Sequence, residues 1–294
     1  MSSFFTYVFN GISLGSVYAI IALGYTMVYG IAKMLNFAHG DVIMIGGYVL
    51  FSMIYGSGTN VFAALIVAMV VCTVLGVVIE KVAYKPLREA SSLAVLITAI
   101  GVSILLQNIA QLIFTSQPKM FRNPIKLGSV KMFGANIEGS TILMIVLGII
   151  IVVALSIFIR KTKTGRAMLA VSEDKDAAKL MGINVNTTIT ITFAIGSALA
   201  ALASLLMFNA YPSLIPTSGS MPGIKAFVAA VFGGIGSIPG AMVGGIVLGI
   251  IEVLSGAYIP NGTKLVNAIV FVVLIVVLIF KPTGLFGKKI KEKV

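Results

Sequence analysis

Ionisable side chains inside apolar segments are the first residues to consider, because a charge in hydrocarbon is costly and persists mainly where it serves a function. Glu252, in the stretch GGIVLGIIEVLSG, is the one carboxylate well inside an apolar run, whereas Lys225 and Asp41 sit at segment edges. Glu252 could take part in ion coupling, or could simply pair helices near the membrane surface. No carboxylate pair or relay accompanies it. The sequence therefore disfavours proton-driven transport, although sodium coupling through backbone carbonyls would leave little trace.

Catalytic chemistry has few candidates in this chain. His39 is the only histidine, which excludes an HExxH zinc site or a histidine pair for a metal. Cys72 is the only cysteine and lies in an apolar run, so neither an intrachain disulfide nor a cysteine-based zinc site is available. A phosphate-binding loop of the GxxxxGKS type is absent. We therefore predict no catalytic residue, no metal site and no cofactor bound by this chain.

A polar segment, residues 160–187, interrupts the apolar runs and looks like a docking platform. Within it, Ser172 is a candidate helix N-cap, Glu173 lies where a helix dipole favours anions, and Gly182 can adopt the left-handed conformation that ends a helix. These signals predict one helix over 173–181, about 13 Å long. Such a helix is too short to be stable without a partner to pack on. The face that it would offer consists of Ala177, Ala178 and Met181.

Composition places these residues in a polytopic integral membrane protein. The chain of 294 residues is 59% hydrophobic and 10% charged, with a mean hydropathy of +1.09, which is outside the range of soluble domains. A hydrocarbon core of about 30 Å requires about 20 apolar helical residues. We predict an all-α bundle of about eight or nine transmembrane segments. The expected spans are 9–31, 42–55, 61–79, 93–114, 142–159, 189–210 and 266–280, with one or two more within 226–259.

The segment 226–259 differs from the other spans because the sequence GGIGSIPG, residues 233–240, breaks it into two apolar stretches. It is either two short crossings or a partly re-entrant element, and periodicity does not choose between them. Close helix packing in lipid explains most of the 31 glycines of the chain. Breaks in this cluster would also let helices unwind beside a translocation path. We assign to such a path, together with Glu252, the residues Gly233, Gly234, Gly236, Pro239 and Gly240.

The distribution of cations predicts the orientation. Placing Lys33, the loop that holds Lys81, Lys85 and Arg88, the segment 160–187 and the C-terminal tail in the cytoplasm collects fifteen of the 21 Lys and Arg residues, as the positive-inside rule requires. The N-terminus is then external, the C-terminus is cytoplasmic, and the loop 116–139 is external despite its four cations. The basic tail is most simply an anchor at anionic lipid. The net charge of +12 does not indicate nucleic acid binding, because the cations cluster between apolar runs.

A second polar motif, LNFAHGD, covers residues 35–41 between the first two spans. It predicts a turn at the cytoplasmic membrane edge, where Asp41 could cap the N-terminus of the next helix. Capping leaves His39 without an explanation.

Four features together resemble the permease subunits of branched-chain amino acid ABC importers, of the LivH type. They are GSVYAIIALGYTMVYGIAKMLNFAHGD near the N-terminus, GRAMLAVSEDKDAAKLMGINV in the platform, PGIKAFVAAVFGGIGSIPGAMVGGIVLGIIE near the C-terminus, and the overall length. The resemblance covers nearly the whole chain. The platform also resembles the looser Glu-Ala-Ala and Gly loop of ABC import permeases, but the Leu and Pro that often follow that loop are replaced here by Ile183, Asn184 and Val185.

This resemblance implies a non-catalytic permease domain over residues 1–294 in a prokaryotic plasma (inner) membrane. An external binding protein would deliver leucine, isoleucine or valine, and a second permease chain of the LivM type would pair with this one. Two cytoplasmic ATPase subunits would use ATP and Mg²⁺ and would push the helix over 173–181 as a coupling helix. The coupling residues would be Ser172, Glu173, Ala177, Ala178, Met181 and Gly182.

Alternatives remain open from the sequence. The same architecture could carry urea, short amides or other amino acids, because permease motifs separate these substrates poorly. A sodium-coupled secondary carrier would work without ATPase subunits. A scaffold protein would have no reason to combine a glycine-broken segment with a bounded cytoplasmic helix.

Overall fold

Eleven α-helices make up most of the computed structural model, which describes residues 2–122, 125, 127–132 and 135–287. The helices are α1 Ser2–Ala32, α2 His39–Phe51, α3 Val61–Ile79, α4 Ser92–Phe114, α5 Gly139–Lys161, α6 Lys163–Glu173, α7 Lys175–Leu180, α8 Val185–Ala210, α9 Ser220–Gly233, α10 Ile238–Tyr258 and α11 Gly262–Phe280. A π-helical turn, Ser52–Gly56, extends α2, and a π-helical turn, Glu80–Tyr84, with a 3₁₀ turn, Lys85–Leu87, extends α3.

Four short strands lie in the connections. They are β1 Lys119–Met120, β2 Ser129–Met132, β3 Ala135–Glu138 and β4 Ser213–Leu214. The β2 and β3 strands form an antiparallel hairpin before α5, and β1 pairs antiparallel with β4, which follows α8. The ends of α4, α8 and the start of α5 therefore meet at one end of the bundle, which we call the hairpin end.

The opposite end of the bundle carries α6 and α7, and we call it the platform end. The Lys175 ammonium donates to the carbonyl oxygen of Ala32 at 2.9 Å, and the backbone N–H of Leu285 donates to the carbonyl oxygen of Phe232 at 2.9 Å. The first contact places the end of α1 beside the platform, and the second joins the end of α9 to the chain that follows α11. The turn after α9 reaches the end of α1 as well, because a Cβ on Gly30 would lie 3.3 Å from the Cα of Gly236. The basic tail predicted as a lipid anchor covers residues 281–294, and only 281–287 of it are among the described residues.

Seven helices within the described part of the chain are long and apolar enough to span a membrane: α1, α3, α4, α5, α8, α10 and α11. This confirms the all-α, multi-pass architecture. The predicted count of eight or nine differs at α2 and α9. The α9 helix has 14 residues, and a helix of that length rises about 20 Å, less than the thickness of a hydrocarbon core of about 30 Å. The α2 helix has 13 residues and its π-helical turn has 5 more, but α2 begins with the buried polar residues His39 and Asp41.

Both short helices begin inside the bundle. A Cβ placed on Gly40, in the first turn of α2, would lie 2.4 Å from the carbonyl oxygen of Gly219, just before α9. The ring of His39 packs against Gly24, which precedes the end of α1 by about 12 Å of helical rise. The segment 226–259 thus belongs to a short helix and a full-length helix joined by a turn, rather than to two short crossings.

The expectation that residues 35–41 form a capped turn at the membrane edge is wrong. Asp41 is the third residue of α2 and is 1% exposed, and the N-cap residue Ala38 makes no side-chain hydrogen bond to the helix. The chain between α1 and α2 folds back into the bundle, which sequence periodicity does not reveal. His39, 1% exposed, is a buried packing partner of α1.

The α1 helix occupies the centre of the bundle, and its packing depends on glycine. A Cβ on Gly15 would lie 2.6 Å from the Cα of Ile246, and a Cβ on Gly249 would lie 2.3 Å from the backbone nitrogen of Gly15. Small residues spaced four apart on both helices let the two backbones touch, as happens when dispersion forces hold helices together in lipid. The α1 and α10 helices therefore form the closest long pair in the fold.

Substituting Gly15→Leu should destabilise the protein, because the new side chain has no space against α10. We expect the free energy of unfolding to fall by about 1–3 kcal/mol or more, since this is the usual cost of overpacking. The measurement is thermal unfolding of the purified chain in detergent. The matched control is Gly101→Leu in α4, since a Cβ on Gly101 meets nothing within 4 Å. Equal melting temperatures for the two variants would contradict this account of α1 packing.

Candidate functional site

A polar cavity of about 880 Å³ opens at the hairpin end of the bundle. Its walls come from the N-terminal half of α1, the first turns of α5 and α11, the last turns of α10, and the chain that leaves α8. Polar residues of the wall include Thr6, Asn10, Ser13, Asn136, Glu138, Thr141, Asn209 and Asn267, and apolar ones include Leu14, Met144, Val253 and Val266. A cavity of this size lies within the range of small-molecule sites.

Lys225 and Glu252 form an ion pair deep in this cavity. The Lys225 Nζ atom, on α9, lies 2.5 Å from Oε1 of Glu252 on α10, and the two side chains are 9% and 12% exposed. The hydroxyl of Tyr18, on α1, donates to Oε2 of the same carboxylate at 2.9 Å. Three helices are therefore joined through one carboxylate whose oxygens both have partners.

Glu252 lies inside an apolar helix, as its sequence predicts, but the prediction that Lys225 sits at a segment edge is wrong. Lys225 lies within α9 and is only 7% exposed. Tyr18 was missed altogether, because a tyrosine in an apolar helix gives no sign of the side chain that it contacts 234 positions away. The sequence does contain one signal for the ion pair, which is that one cation and one anion lie in neighbouring apolar segments.

The other residues predicted for a translocation path lie away from the cavity, at the turn between α9 and α10 on the platform end. Gly234 and Gly236 have φ angles of +102° and +92°, which a residue with a side chain rarely adopts. A Cβ on Gly233 would lie 1.9 Å from the carbonyl oxygen of Gly240. Pro239 stands in the first turn of α10, a favourable position for proline. Turn geometry therefore accounts for this cluster.

The starts of α2 and α9 are held together by Gln107 of α4. Its side-chain nitrogen donates to Oδ1 of Asp41 at 2.9 Å and to Oγ of Ser220 at 3.1 Å. Polar groups inside a membrane need partners within the protein. Here the side-chain amide of Gln107 donates to a polar residue in the first turn of each short helix. The contact fixes where the two short helices meet.

The platform consists of two helices rather than one. The Ser172 hydroxyl donates to the carbonyl oxygen of Leu169 within α6, so its prediction as an N-cap is wrong. Asp174 caps α7 instead, because its Oδ1 accepts from the backbone N–H groups of Asp176 and Ala177, each at 2.9 Å. A carboxylate that reaches two free amides is the stronger cap. Glu173 is consequently the last residue of α6.

The end of α7 matches the prediction. Gly182 has a φ angle of +81°, and the backbone N–H of Ile183 donates to the carbonyl oxygen of Ala178 at 3.0 Å. This hydrogen bond is the glycine-dependent stop of a helix. Asn184 follows as the N-cap of α8, accepting from the N–H of Thr187 at 3.0 Å.

The predicted apolar face of α7 is wrong in its membership. Ala178 points inward and is 4% exposed, whereas Ala177 is exposed and Met181 is 82% exposed. Leu180, which sequence analysis missed, is 88% exposed beside Met181. Two large apolar side chains thus project from the platform just before the helix stop. Their adjacency to Gly182 in the sequence was the signal that could have identified Leu180.

A lysine connects the platform to the central helix. The Lys175 ammonium lies against the C-terminal end of α1, where the helix dipole is negative, and donates to the Ala32 carbonyl oxygen. Partial burial, together with the positive charges of Arg88 and Lys33, lowers the pKa of Lys175 from its ordinary value. Lys175 therefore links α7 directly to the end of α1.

A second contact network joins the turn after α3 to the start of α8. Glu80 is fully buried and forms an ion pair with Arg88. The hydroxyl of Thr190 donates to Oε2 of Glu80 at 2.8 Å, and Arg88 also donates to the side chain of Asn186. These contacts connect the chain after α3 to the first turns of α8 at the platform end. Within the described residues, no group of three or more His, Cys, Asp or Glu side chains could hold a metal ion.

Comparison with known proteins identifies the family. A family model described as branched-chain amino acid transport system / permease component matches residues 7–278. The high-affinity branched-chain amino acid transport system permease protein LivH of Escherichia coli (strain K12) is 45% identical, over 99% of this chain and 98% of the relative. The corresponding protein BraD of Pseudomonas aeruginosa is 43% identical, over 97% of this chain and 96% of the relative.

Among solved structures, PsaBC from Streptococcus pneumoniae in complex with Fab has a TM-score of 0.44 and 16% sequence identity, and the alignment covers 97% of this chain and 92% of that one. The family model and the two full-length relatives agree along nearly the whole sequence. The chain therefore belongs to the family of permease components of the branched-chain amino acid transport system.

Proposed function

We propose that this chain is the membrane permease subunit of an ATP-driven ABC importer for leucine, isoleucine and valine. The main support is its similarity over nearly its full length to relatives named as permeases of a high-affinity branched-chain amino acid transport system. The chain supplies the membrane path and performs no hydrolysis. Two ATPase subunits in the cytoplasm use ATP and Mg²⁺, an external binding protein delivers the substrate, and a second permease subunit of the LivM type completes the membrane part.

The platform supports a mechanical role in this importer. Leu180 and Met181 expose apolar side chains where a partner would bury them, and burying one large apolar side chain contributes about 1.5–3 kcal/mol. We assign ATPase coupling to α7 and its flanks, that is to Leu180 together with Ser172, Glu173, Ala177, Ala178, Met181 and Gly182. Lys175 would carry the resulting movement to α1.

The proposed orientation places the platform end in the cytoplasm of a prokaryotic cell and the cavity outside. In the described part of the chain, the Lys and Arg residues at the platform end are Lys33, Lys81, Lys85, Arg88, Arg160, Lys161, Lys163, Arg166, Lys175, Lys179 and Lys281. At the hairpin end they are Lys119, Arg122, Lys131 and Lys264. This asymmetry is typical of a cytoplasmic platform. The N-terminus is then external and the C-terminus cytoplasmic.

The proposed translocation path begins at the cavity and passes the carboxylate of Glu252. From there it runs along α9 towards the turn formed by Gly233, Gly234, Gly236, Pro239 and Gly240. A short helix that starts inside the bundle and ends in a glycine-rich turn is typical of transporter elements that move. The turn would act as the hinge of α9 rather than as a contact for the substrate.

Reconstitution tests the proposed function. The chain, its second permease and both ATPase subunits are placed in proteoliposomes with the binding protein outside and ATP inside. We expect uptake of leucine, isoleucine and valine that stops when ATP or the ATPase subunits are omitted. Uptake driven by a sodium gradient without ATPase subunits, or uptake of urea or amides in place of these amino acids, would contradict the proposal.

The coupling role predicts the effect of removing the two exposed apolar side chains. The double variant Leu180→Ser/Met181→Ser should fold normally, since neither side chain is buried. It should lose about tenfold or more of its affinity for the ATPase subunits, because about 1.4 kcal/mol corresponds to a factor of ten. Co-purification of the ATPase subunits and ATP-driven uptake are the measurements. Val130→Ser, at an exposed apolar residue of the hairpin end, is the control, and equal losses in both variants would contradict the assignment.

The orientation predicts which introduced cysteines react in intact cells. The native Cys72 is fully buried and should stay silent. Val130→Cys, at the hairpin end, should react with a membrane-impermeant maleimide from outside. Lys179→Cys, on the exposed surface of α7, should react only after the membrane is permeabilised. The reverse pattern would invert the proposed topology.

A further inference from the structure

The ion pair between Lys225 and Glu252 joins α9 to α10, but it does so at an energetic cost that helix packing by itself does not require. Charges removed from water lose solvation energy that their mutual attraction often fails to return, and a well-packed apolar pair is commonly as stable or more stable. Inside a membrane protein, a buried ionisable side chain is by default a functional residue. This pair also lies against a cavity rather than within a packed core. Its position therefore points to a ligand.

We propose that Lys225 and Glu252 bind the two charges of the transported amino acid, an inference that rests on the proposed function. The Lys225 ammonium binds the substrate carboxylate, and the Glu252 carboxylate binds the substrate ammonium. The ion pair opens when a zwitterion enters between the two side chains and forms again when the zwitterion leaves.

The charge balance of the site fits a zwitterion. Within the ion pair each charge is neutralised by the other, at an Nζ to Oε1 distance of 2.5 Å. An α-amino acid carries its ammonium and carboxylate on one carbon, so it replaces each partner by a group of the same sign. No charge is left unpaired in either state, which avoids the large penalty of an isolated buried ion. A ligand with a single charge would replace only one partner and would leave the other ion unpaired.

Tyr18 positions the carboxylate for this exchange. Its hydroxyl donates to Oε2 of Glu252 at 2.9 Å, while Oε1 faces Lys225. When Lys225 turns to the substrate carboxylate, Oε1 becomes the free acceptor for the substrate ammonium. Tyr18 is 4% exposed, so its ring is held by packing within α1 and its neighbours. The acceptor oxygen is consequently fixed before the ligand arrives.

The rest of the cavity offers space for a branched aliphatic side chain. Leu14, Met144, Val253 and Val266 form apolar parts of the wall, and amide groups of Asn10 and Asn209 lie in the same cavity. An apolar group leaves water most favourably against such surfaces, at about 25 cal/mol for each Å² buried. The cavity thus combines a paired-charge site with an aliphatic wall.

Lys225 and Glu252 stand on two different helices. The α9 helix begins inside the bundle and ends at the glycine-rich turn, whereas Glu252 stands on α10, which packs tightly along α1. A displacement of α9 relative to α10 would separate the two charges without disturbing the α1 and α10 contact. Release of the substrate and closure of the pair can therefore be one event.

The test compares three variants in the purified complete importer: Lys225→Met/Glu252→Gln, the exchanged pair Lys225→Glu/Glu252→Lys, and Lys264→Met as a control at an exposed cation of the hairpin end. Leucine uptake into proteoliposomes and ATP hydrolysis stimulated by the binding protein are measured for each. We expect the neutral double variant to assemble and to hydrolyse ATP, with leucine uptake at least about tenfold lower, because both charge-assisted contacts to the substrate are lost. The control should transport normally.

Uptake by the neutral double variant at the rate of the unchanged protein would overturn the inference and make the pair a tether between helices. If that variant fails to assemble, the exchanged pair decides. The exchanged pair keeps an ion pair between the helices, but it reverses the polarity that orients the substrate and leaves the Tyr18 hydroxyl without its carboxylate acceptor. Normal uptake would therefore overturn the inference, whereas assembly with uptake lost would support it. If the unchanged complex shows no ATP-dependent leucine uptake, the proposed function fails instead.

Tyr18→Phe gives an independent measure of positioning. Loss of the hydroxyl should raise the KM for uptake and leave the maximal rate nearly unchanged, because the carboxylate remains but is no longer oriented. A lower maximal rate with an unchanged KM, accompanied by less assembled complex, would indicate that Tyr18 only stabilises the fold.

Discussion

Close contact between α1 and α10 is the constraint on which the rest of the bundle depends. Where Gly15 and Gly249 meet, the two backbones touch with no side chain between them. In lipid this contact cannot draw on the hydrophobic effect, so it relies on dispersion and on a complementary surface. Because α1 is buried along most of its length, α5, α8, α9 and α10 all take their positions from it.

The two short helices, α2 and α9, can begin inside the bundle because the polar groups at their starts find hydrogen-bond partners there. Two helices that stop partway through the bundle expose free amides and polar side chains that lipid cannot solvate. The α2 and α9 helices solve this by starting against one another, with Gln107 binding Asp41 and Ser220. The same arrangement brings Lys225 to the cavity, opposite Glu252. A charge that would be prohibitive on a lipid-facing helix becomes tolerable, because its counterion comes from the next helix.

The platform and the cavity lie at opposite ends, yet α1 connects them. Lys175 holds the end of α1 at the platform, and Tyr18 of the same helix holds the Glu252 carboxylate. A continuous helix transmits displacement along its axis because its hydrogen bonds resist stretching. In the proposed importer, this rigid element provides a physical link between the ATPase side and the substrate side.

Sequence alone was sufficient for the properties that depend on local composition. Apolar runs of about 20 residues predicted the long helices, since a hydrocarbon layer imposes that length. Gly182 predicted the end of α7, because a left-handed residue ends a helix whatever surrounds it. The resemblance carried by the N-terminal, platform and C-terminal motifs predicted the family, which the comparisons confirmed.

Only the tertiary structure decided which groups meet. Ser172 and Asp174 are both acceptable caps by type, and the fold selected Asp174 because its carboxylate reaches two amides. Short apolar stretches do not reveal whether a helix crosses the membrane or begins inside the bundle, so the predicted span 42–55 did not show that α2 begins against α1 and α9. The ion pair of Lys225 and Glu252, with Tyr18 on a third helix, joins residues far apart in the chain. Its partners are set by how the helices pack in three dimensions, and composition and spacing carry no record of that packing.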